Sequence, residues 1–259
     1  MKKLVVAGTG VKFLSHMTIE VKSLIATSSC ILYLLNEPAI KNWITRSSKN
    51  AISLDSLYFS NSFRSEVYNQ ISKEIFNYLE KYDDVCFLTY GHPTFFCSIL
   101  TELRKQTHIE PIDMHILPGI SALDCLFADL AVDPSDVGMQ SYEATEFLVY
   151  EQLYSPLTHL VLWQIAVIGE IGIIQNELNF NRQKKGLHLL VAKLLEHYPA
   201  KHDIYLYVAS QYPHIPFELT KIKLTELMDV QIPRLATLYV PPAKKKTINK
   251  AILRELNLL

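Results

Sequence analysis

The stretch Val85-Cys86-Phe87-Leu88-Thr89-Tyr90-Gly91-His92-Pro93 decides the fold class. It begins as a short apolar run, which is typical of a strand buried on both faces of a parallel sheet. The run ends in a turn where glycine lets the backbone approach a ligand and proline fixes the chain direction. In open α/β sheets ligands bind beyond the carboxyl ends of the strands, so this turn is a candidate part of a binding site. His92 also fits a simple turn histidine.

Two more buried strands end in turns of the same kind. The run Leu4–Ala7 leads into Gly8-Thr9-Gly10, and the run Met114–Leu117 leads into Pro-Gly-Ile-Ser-Ala at 118–122. The first turn lacks the third glycine of a dinucleotide fingerprint, so NAD binding is not supported and a plain tight turn is the alternative. In the other turn, Ser121 either caps the next helix or presents backbone amides to a carboxylate.

Helical patterns separate these strands. The clearest begins near Asn61 or Ser62 and runs to about Tyr82, because its apolar residues recur every four positions, as one buried helix face requires. Strands that alternate with helices predict a mostly parallel sheet covered on both faces. The other predicted segments of this half are a strand at Cys30–Leu35 and helices at Thr18–Ala26, Phe95–Lys105 and Ser121–Leu130.

The second half predicts a separate α/β lobe with a mixed sheet. Pro134, Ser135 and Gly138 cluster where the first lobe should end. We therefore expect an N-terminal lobe at 1–135, a C-terminal lobe at 136–259, and a cofactor pocket between them. The predicted elements of the second lobe are strands at His159–Ile168, Asp203–Val208 and Thr237–Val240 and a helix at Gln183–His197.

Composition excludes several classes of function. The 259 residues are 49% hydrophobic, and 25 Lys and Arg nearly balance 26 Asp and Glu, so no strong field attracts nucleic acid or an anionic membrane. The four cysteines include no C-x-x-C pair. The longest apolar stretch, Leu160–Ile174, falls short of the ~20 residues of a membrane span, and the apolar run after Met1 is too short for a signal peptide. A cytoplasmic location is the expectation.

The order and context of the three turns resemble the tetrapyrrole methylase superfamily. More narrowly, the residues 90–96, Y-G-H-P-T-F-F, are similar to the Y-G-H-P-G-V-F stretch of borosin peptide N-methyltransferases. The residues 117–130 are similar to the L-P-G-I-S-A-x-x-C-L-x-A-D-L stretch of the same enzymes. The resemblance continues through 133–134, 140–144, 162–164 and 241–245, and so covers nearly the whole chain.

The resemblance implies S-adenosylmethionine as the cofactor. One position departs from the family pattern, since Thr94 stands where glycine is usual and adds a side chain beside the cofactor turn. No metal is expected, because His and Cys do not cluster in the sequence. By the resemblance the cofactor pocket is lined by Gly8, Gly10, His92, Phe95, Phe96, Ser121, Ala122, Gln164, Tyr207, Ala236 and Thr237.

The candidate catalytic residues follow the pattern Y-x5-R-x3-Y, formed by Tyr58, Arg64 and Tyr68. Arg64 and Tyr68 lie four residues apart and share a helix face. The ordinary alternative is that Tyr68 packs in the core and Arg64 is solvated. The resemblance implies that this set belongs to an active site, although Asp55 stands where these enzymes often carry a further tyrosine. Tyr90 is expected to add a hydroxyl from the cofactor side.

These residue types suit methylation of a peptide backbone. An amide nitrogen is a poor nucleophile because its lone pair is delocalised into the carbonyl, so its proton must leave and charge develops on the amide oxygen. Arg64 is expected to stabilise that oxygen. Tyr58 beside Arg64 is expected to act as base or proton relay, and Tyr68 as an orienting hydrogen-bond donor.

The substrate is expected to be a separate precursor peptide, as in split borosin systems, since the chain ends soon after Pro241-Pro242-Ala243 with no long flexible tail. A homodimer is implied by the resemblance. The aromatic segment Tyr142–Tyr154 suits dimer contacts, peptide contacts or the core. Two other functions stay open: methylation of a tetrapyrrole such as a corrinoid precursor, and a non-catalytic module that binds cofactor and peptide.

Overall fold

The computed structural model describes residues 2–59, 64–107, 112–170 and 179–258. These form two compact units. The first unit runs to Ala131 and also includes Ala209–Phe217, and the second holds the described residues of 132–170, 179–208 and 218–258. The sequence prediction put one boundary at 135 and 136 and did not anticipate that a later segment would belong to the first unit.

The first unit contains a parallel five-stranded sheet in the order β3-β2-β4-β1-β5, which confirms the predicted parallel sheet. The order places β4, β1 and β5 side by side, so the turns after these three strands lie at one edge of the sheet. The strands are β1 at Lys3–Gly8, β2 at Cys30–Leu34, β3 at Ala51–Ser53, β4 at Asp84–Thr89 and β5 at Asp113–Leu117.

Helices cover both faces of this sheet. The helices of the first unit are α1 at Ile19–Thr27, α2 at Pro38–Ser47, α3 at Asp55–Tyr58, α4 at Arg64–Lys81, α5 at Ile99–Thr107 and α6 at Ala122–Leu130. Alternate residues of each strand point to opposite faces, so two apolar clusters form. We call the cluster that includes α1 and α2 residues the α1 face, and the cluster that includes α4 and α5 residues the α4 face.

The long predicted helix is α4, and its four-residue apolar repeat faces the core as expected. Val67, Ile71, Ile75 and Leu79 are all at most 1% exposed. The predicted cap at position 61 or 62 lies outside the described residues. The prediction for the next helix was wrong at its start, because α5 begins at Ile99 and the chain from 95 to 98 is not helical.

The second unit has a mixed sheet in the order β6-β7-β10-β8-β9, as the sequence predicted for this lobe. Only β6 and β7 are parallel; the other neighbours are antiparallel. The predicted strand 159–168 was too long, since β7 ends at Trp163. The strands are β6 at Met139–Glu143, β7 at His159–Trp163, β8 at Asp203–Val208, β9 at Glu218–Lys223 and β10 at Thr237–Val240. The helices are α7 at Pro134–Val137, α8 at Ala144–Val149, α9 at Phe180–Leu195 and α10 at Lys250–Glu255.

The core of the second unit lies between its sheet and the helices α8 and α9. Leu187, Leu190, Val191 and Leu194 supply the buried face of α9, as the spacing predicted. Among the helices that the structure describes, none has the length and apolar character needed to cross a bilayer.

Candidate functional site

The three glycine turns of the first unit touch one another. A methyl group placed on Gly8 would lie 2.3 Å from the carbonyl oxygen of Gly91, and one on Gly119 would lie 2.2 Å from the same oxygen. Gly10 and Gly91 also exchange two backbone hydrogen bonds of 3.1 Å. No side chain fits between backbones at these distances, so glycine at 8 and 119 is what allows the turns after β1, β4 and β5 to converge.

Gly91 differs from the other two turn glycines. Its φ is +69°, a conformation that side chains rarely adopt, and a methyl group placed on it would meet no heavy atom of the described residues within 4 Å. The Gly91 position therefore faces open space at the point where the turns meet. Backbone closes one side of this junction of turns and the other side is open. Such a junction suits a ligand that packs directly against the backbone.

His92 projects from the same turn with one ring nitrogen already occupied. The backbone N–H of Thr94 donates to His92 Nδ1 at 3.2 Å, and the Thr94 hydroxyl lies 2.9 Å from the same atom. Because a backbone N–H can only donate, Nδ1 accepts and the neutral ring carries its proton on Nε2. Thr94, the departure from the family pattern, thus orients His92 and leaves an N–H donor at its far end.

Two phenylalanines follow this turn. The rings of Phe95 and Phe96 meet edge to face with centroids 4.8 Å apart, and Phe96 is 46% exposed. Phe96 has a φ of +51°, which is unusual for a bulky residue and is typical of sites where function imposes strain. This reversal also explains why α5 starts later than its sequence predicts.

Ser121 serves as a helix cap. Its hydroxyl donates to Asp124 Oδ2 at 2.6 Å, and its oxygen accepts the Asp124 backbone N–H at 3.1 Å. Its own backbone N–H also donates to Asp124 Oδ2, at 2.7 Å. The capping interpretation is therefore confirmed, and the Ser121 amide faces a carboxylate of its own helix. Ala122 is the first residue of α6.

Tyr58 and Tyr68 come together on the α4 face. Tyr58 ends the short helix α3, and its ring centroid lies 6.5 Å from that of Tyr68 with the planes inclined by 32°. Both rings are partly buried against the same apolar cluster. Arg64 begins α4 one turn before Tyr68, and its side chain lies outside the described residues. The structure thus pairs the two phenols that the sequence pattern singled out.

Tyr90 does not join this pair. It packs against the α1 face, on the opposite side of the sheet from Tyr58 and Tyr68. Its hydroxyl is hydrogen-bonded to the side chain of Gln211, and burial raises the pKa of Tyr90 in spite of that bond. Tyr90 was expected to add a hydroxyl from the cofactor side; that hydroxyl is bonded to Gln211 in the structure, and its catalytic role stays a prediction.

Asp55 stands where the enzymes that the sequence resembles often carry a further tyrosine, and in this structure it forms an ion pair. Its carboxylate pairs with the ammonium group of Lys41 on α2. The pair is half-buried, because each side chain is 26% exposed.

The second unit holds the other four residues assigned to the cofactor pocket. Tyr207 and Thr237 are direct cross-strand neighbours on β8 and β10, and Ala236 precedes Thr237; all three are at most 5% exposed. Gln164 follows β7 with a φ of +57°. The sequence places all four at strand ends or on buried strands, and the structure brings Tyr207, Ala236 and Thr237 into one local group.

His16 is a residue that sequence reasoning missed. A methyl group on Gly10 would lie 2.3 Å from His16 Cβ, so this side chain packs on the first glycine turn. Its Nδ1 accepts the Lys12 backbone N–H at 3.1 Å and lies 3.8 Å from Cys125 Sγ. Burial lowers the pKa of His16. No motif marks this residue, and only the contact with Gly10 reveals it.

No metal centre is formed by the part of the chain that the structure describes, since its His, Cys, Asp and Glu side chains nowhere gather in groups of three or more as ligands would. The four cysteines are free thiols.

Comparisons with known proteins agree with this architecture. Residues 3–210 match the family model of Tetrapyrrole (Corrin/Porphyrin) Methylases. Among solved structures, uroporphyrin-III-C-methyltransferase from Thermus thermophilus superposes with a TM-score of 0.63 over 98% of this chain and 96% of its own, at 13% identity. A cobalt precorrin-4 methyltransferase superposes with a TM-score of 0.64 at 12% identity over 93% of this chain and 95% of its own.

Curated relatives have closer sequences. A methyltransferase and ribosomally synthesized cyclic peptide omphalotin A precursor from Omphalotus olearius is 33% identical over 99% of this chain, which spans 61% of that protein's length. A methyltransferase and type I borosin cyclic peptide precursor from Coprinopsis marcescibilis is 31% identical over 99% of this chain and 67% of its own. These names describe a methyltransferase and a peptide precursor in one protein.

Proposed function

The chain belongs to the tetrapyrrole (corrin/porphyrin) methylase family, and on that premise we propose that it transfers the methyl group of S-adenosylmethionine to backbone amides of a precursor peptide. The enzymatic part of this proposal rests on the family and on relatives named as methyltransferases. The peptide part rests on those relatives' names and on the pair of phenols near the start of α4.

The first unit fits this cofactor at the glycine turns. The open side of Gly91 would accept the cofactor against the backbone, with the exposed ring of Phe96 beside the same turn. The Nε2–H of His92 would donate a hydrogen bond to it. When bound, the cofactor supplies an electrophilic methyl group on its sulfonium.

The residues of this chain would then prepare the amide nitrogen. Arg64 would hold the amide oxygen as negative charge develops there, because a guanidinium stays protonated and offers fixed donors. Tyr58 would take the amide proton as a phenolate or relay it as a phenol, and Tyr68 would orient the peptide by a hydrogen bond. Holding the nitrogen in line with the methyl carbon at roughly 3–3.5 Å would supply much of the rate.

We also propose that the peptide reaches the site as a separate chain, as in the split systems that the sequence resembles. The named relatives carry methyltransferase and precursor in one protein, and this chain spans 61% of the length of the Omphalotus olearius relative. Fusion of the peptide is therefore the alternative arrangement. A peptide that is methylated when added in trans supports the first arrangement.

A homodimer is a further part of the proposal. The segment 142–154 divides in the structure: Tyr142, Phe147 and Tyr154 pack in or against the core, whereas Tyr150 is 58% and Leu153 is 99% exposed. The exposed side chains would suit contact with a second copy. Light scattering of the purified protein measures this directly.

The observation that carries the proposed function is the juxtaposition of Tyr58 and Tyr68 in a tetrapyrrole-methylase fold. The test is co-expression with the small open reading frame nearest to the gene, followed by fragment mass spectrometry of the peptide. We expect mass gains in ~14 Da steps, located on backbone amides. Unmodified peptide from every neighbouring reading frame would contradict the proposal, and a methylated macrocycle would favour tetrapyrrole methylation.

The non-catalytic alternative makes a different forecast. A module that only binds would bind cofactor and peptide without converting either one. The same co-expression, with cofactor consumption measured alongside peptide mass, separates that outcome from turnover.

A further inference from the structure

We propose that Asp55 is a positioning residue that sets the orientation of Tyr58 through its ion pair with Lys41. Asp55 is the first residue of α3 and Tyr58 is the last, so the helix spans only four residues. A helix of one turn does not hold itself in place, because nucleation is unfavourable and few hydrogen bonds form. Contacts outside α3 must therefore fix its position. This inference rests on the proposed role of Tyr58.

The start of α3 is anchored at two neighbouring residues. Leu54 is 2% exposed, and its backbone N–H donates to the Tyr33 carbonyl of β2 at 2.9 Å. That anchor fixes where the helix begins, and Leu57 and Tyr58 of the same turn pack against the apolar cluster of the α4 face. Leu54 provides no side-chain cap. The Asp55 carboxylate on Lys41 is the second anchor. Two anchors on different neighbours restrict the direction of the helix as well as its origin.

Lys41 is itself held in a defined place. It lies on α2, whose first turn is capped by Glu37: the carboxylate Oε2 accepts the Ile40 backbone N–H at 2.8 Å. The other carboxylate oxygen of Glu37 accepts the hydroxyl of Tyr212 from the segment Ala209–Phe217. A partner on a capped helix provides a rigid reference for Asp55.

The partial exposure of the Asp55–Lys41 pair indicates that it orients α3 more than it stabilises the fold. Ion pairs that keep part of their side chains in water contribute little to the free energy of folding. The geometry at the far end of α3 is more sensitive, because Tyr58 contacts Phe59 edge to face at 5.3 Å and Tyr68 at 6.5 Å. A catalytic group displaced by about an ångström can lose on the order of 10²-fold in rate.

The first test observes Tyr58 without requiring turnover. The protein is labelled with ring-13C tyrosine, and the Tyr58 signal is assigned by its loss in Tyr58→Phe. We expect that signal to shift in Asp55→Asn and in Lys41→Met, and to return toward its wild-type position in the charge-reversed double variant Lys41→Asp with Asp55→Lys. The control is Glu102→Gln, which removes the 2.8 Å pair between Glu102 and Lys105 on α5 of the same unit. If the Tyr58 signal keeps its wild-type position in both Asp55→Asn and Lys41→Met, the proposal is overturned.

The second test measures methyl transfer to the precursor peptide. We expect Asp55→Asn to lower kcat by about 10-fold while KM for the peptide and Kd for the cofactor stay within about twofold, since misplacement of a catalytic group acts on the chemical step. The same substitution in a Tyr58→Phe background should cause no further loss, because the two residues act as one unit. Additive losses would refute the positioning role. If the wild type transfers no methyl group at all, the proposed function fails, and the spectroscopic test still decides whether Asp55 orients Tyr58.

Discussion

Tyr58 and Tyr68 are the side chains on which the proposed chemistry depends. Replacing Tyr58 by Phe keeps the ring that packs at 6.5 Å from Tyr68 and removes only the hydroxyl. We predict a fall of at least ~10²-fold in the rate of methyl transfer, as expected for loss of a general base. Single-turnover kinetics measure the rate, and an unchanged melting temperature would show that packing is preserved. A variant within a few-fold of wild type would remove Tyr58 from the mechanism.

Arg64 gives a second prediction at this scale. Arg64→Ala should abolish methyl transfer, because the charge on the amide oxygen would lose its stabilising donor. Cofactor affinity should change little, because the proposed role of Arg64 is to hold the amide oxygen and the glycine turns are proposed to hold the cofactor. Calorimetric titration of the variant with cofactor provides the control. Near-normal turnover would contradict the proposed role.

The residue pattern was informative to different degrees. The family resemblance grouped Tyr58 with Tyr68, and the structure brings their two rings together. The ion pair of Asp55 was not predicted, because its partner Lys41 lies on another helix and no local signal links them. The hydrogen bond between the Tyr90 hydroxyl and the Gln211 side chain was also not predicted, because the two residues lie 121 positions apart and no local sequence pattern links them.

At the scale of elements, the three turns after β1, β4 and β5 form one interlocked unit. Gly8→Ala and Gly119→Ala would each force a methyl group against the Gly91 carbonyl, so we predict a loss of about 2 kcal/mol or more in the free energy of unfolding. Gly91→Ala meets open space and should cost only about 1 kcal/mol, from its positive φ. Denaturant titration of the three variants gives the order. A Gly91 variant less stable than the other two would contradict this packing.

Element boundaries show where sequence reasoning stops. The parallel sheet and the apolar stripe of α4 follow from periodicity, which is repeated over many residues. A residue with positive φ lies near each of two wrong boundaries: Phe96 comes three residues before α5, and Gln164 directly follows β7. Neither phenylalanine nor glutamine favours a positive φ, so the local sequence does not predict that the helix or strand is interrupted there.

At the scale of the whole molecule, the sequence did not predict the unit to which the segment Ala209–Phe217 belongs. It lies between β8 and β9 along the chain, yet it belongs to the first unit. Its contacts there include the Phe13 backbone N–H to the Gln211 carbonyl at 2.8 Å and the Tyr212 hydroxyl to Glu37. Local periodicity describes single elements and cannot show which unit a connecting segment joins.

The contact between Tyr212 and Glu37 predicts a pH dependence. Partial burial acts to raise the pKa of Glu37, but hydrogen bonds from Tyr212 and from backbone amides outweigh it and hold the pKa below its ordinary value of 4.5. Stability from a lowered carboxyl pKa is present above that ordinary value and is lost as pH falls through the lowered one. Tyr212→Phe should therefore lower the melting temperature at neutral pH, and the difference in melting temperature from wild type should shrink below about pH 4.5.

The same contact predicts a second change at alkaline pH. The Glu37 carboxylate raises the pKa of Tyr212, so the difference in melting temperature should also shrink above about pH 10. A difference that is constant from pH 3 to pH 7 would contradict this assignment.

The convergence of the three glycine turns on a cofactor is the central claim, and calorimetric titration with S-adenosylhomocysteine measures it most directly. We predict saturable binding of one ligand per chain to the wild type, weakened at least ~10-fold in His92→Ala, which removes the ring that Thr94 orients. Absence of any heat of binding up to millimolar ligand, or unchanged affinity in the His92 variant, would contradict the assignment of the turns as the cofactor site.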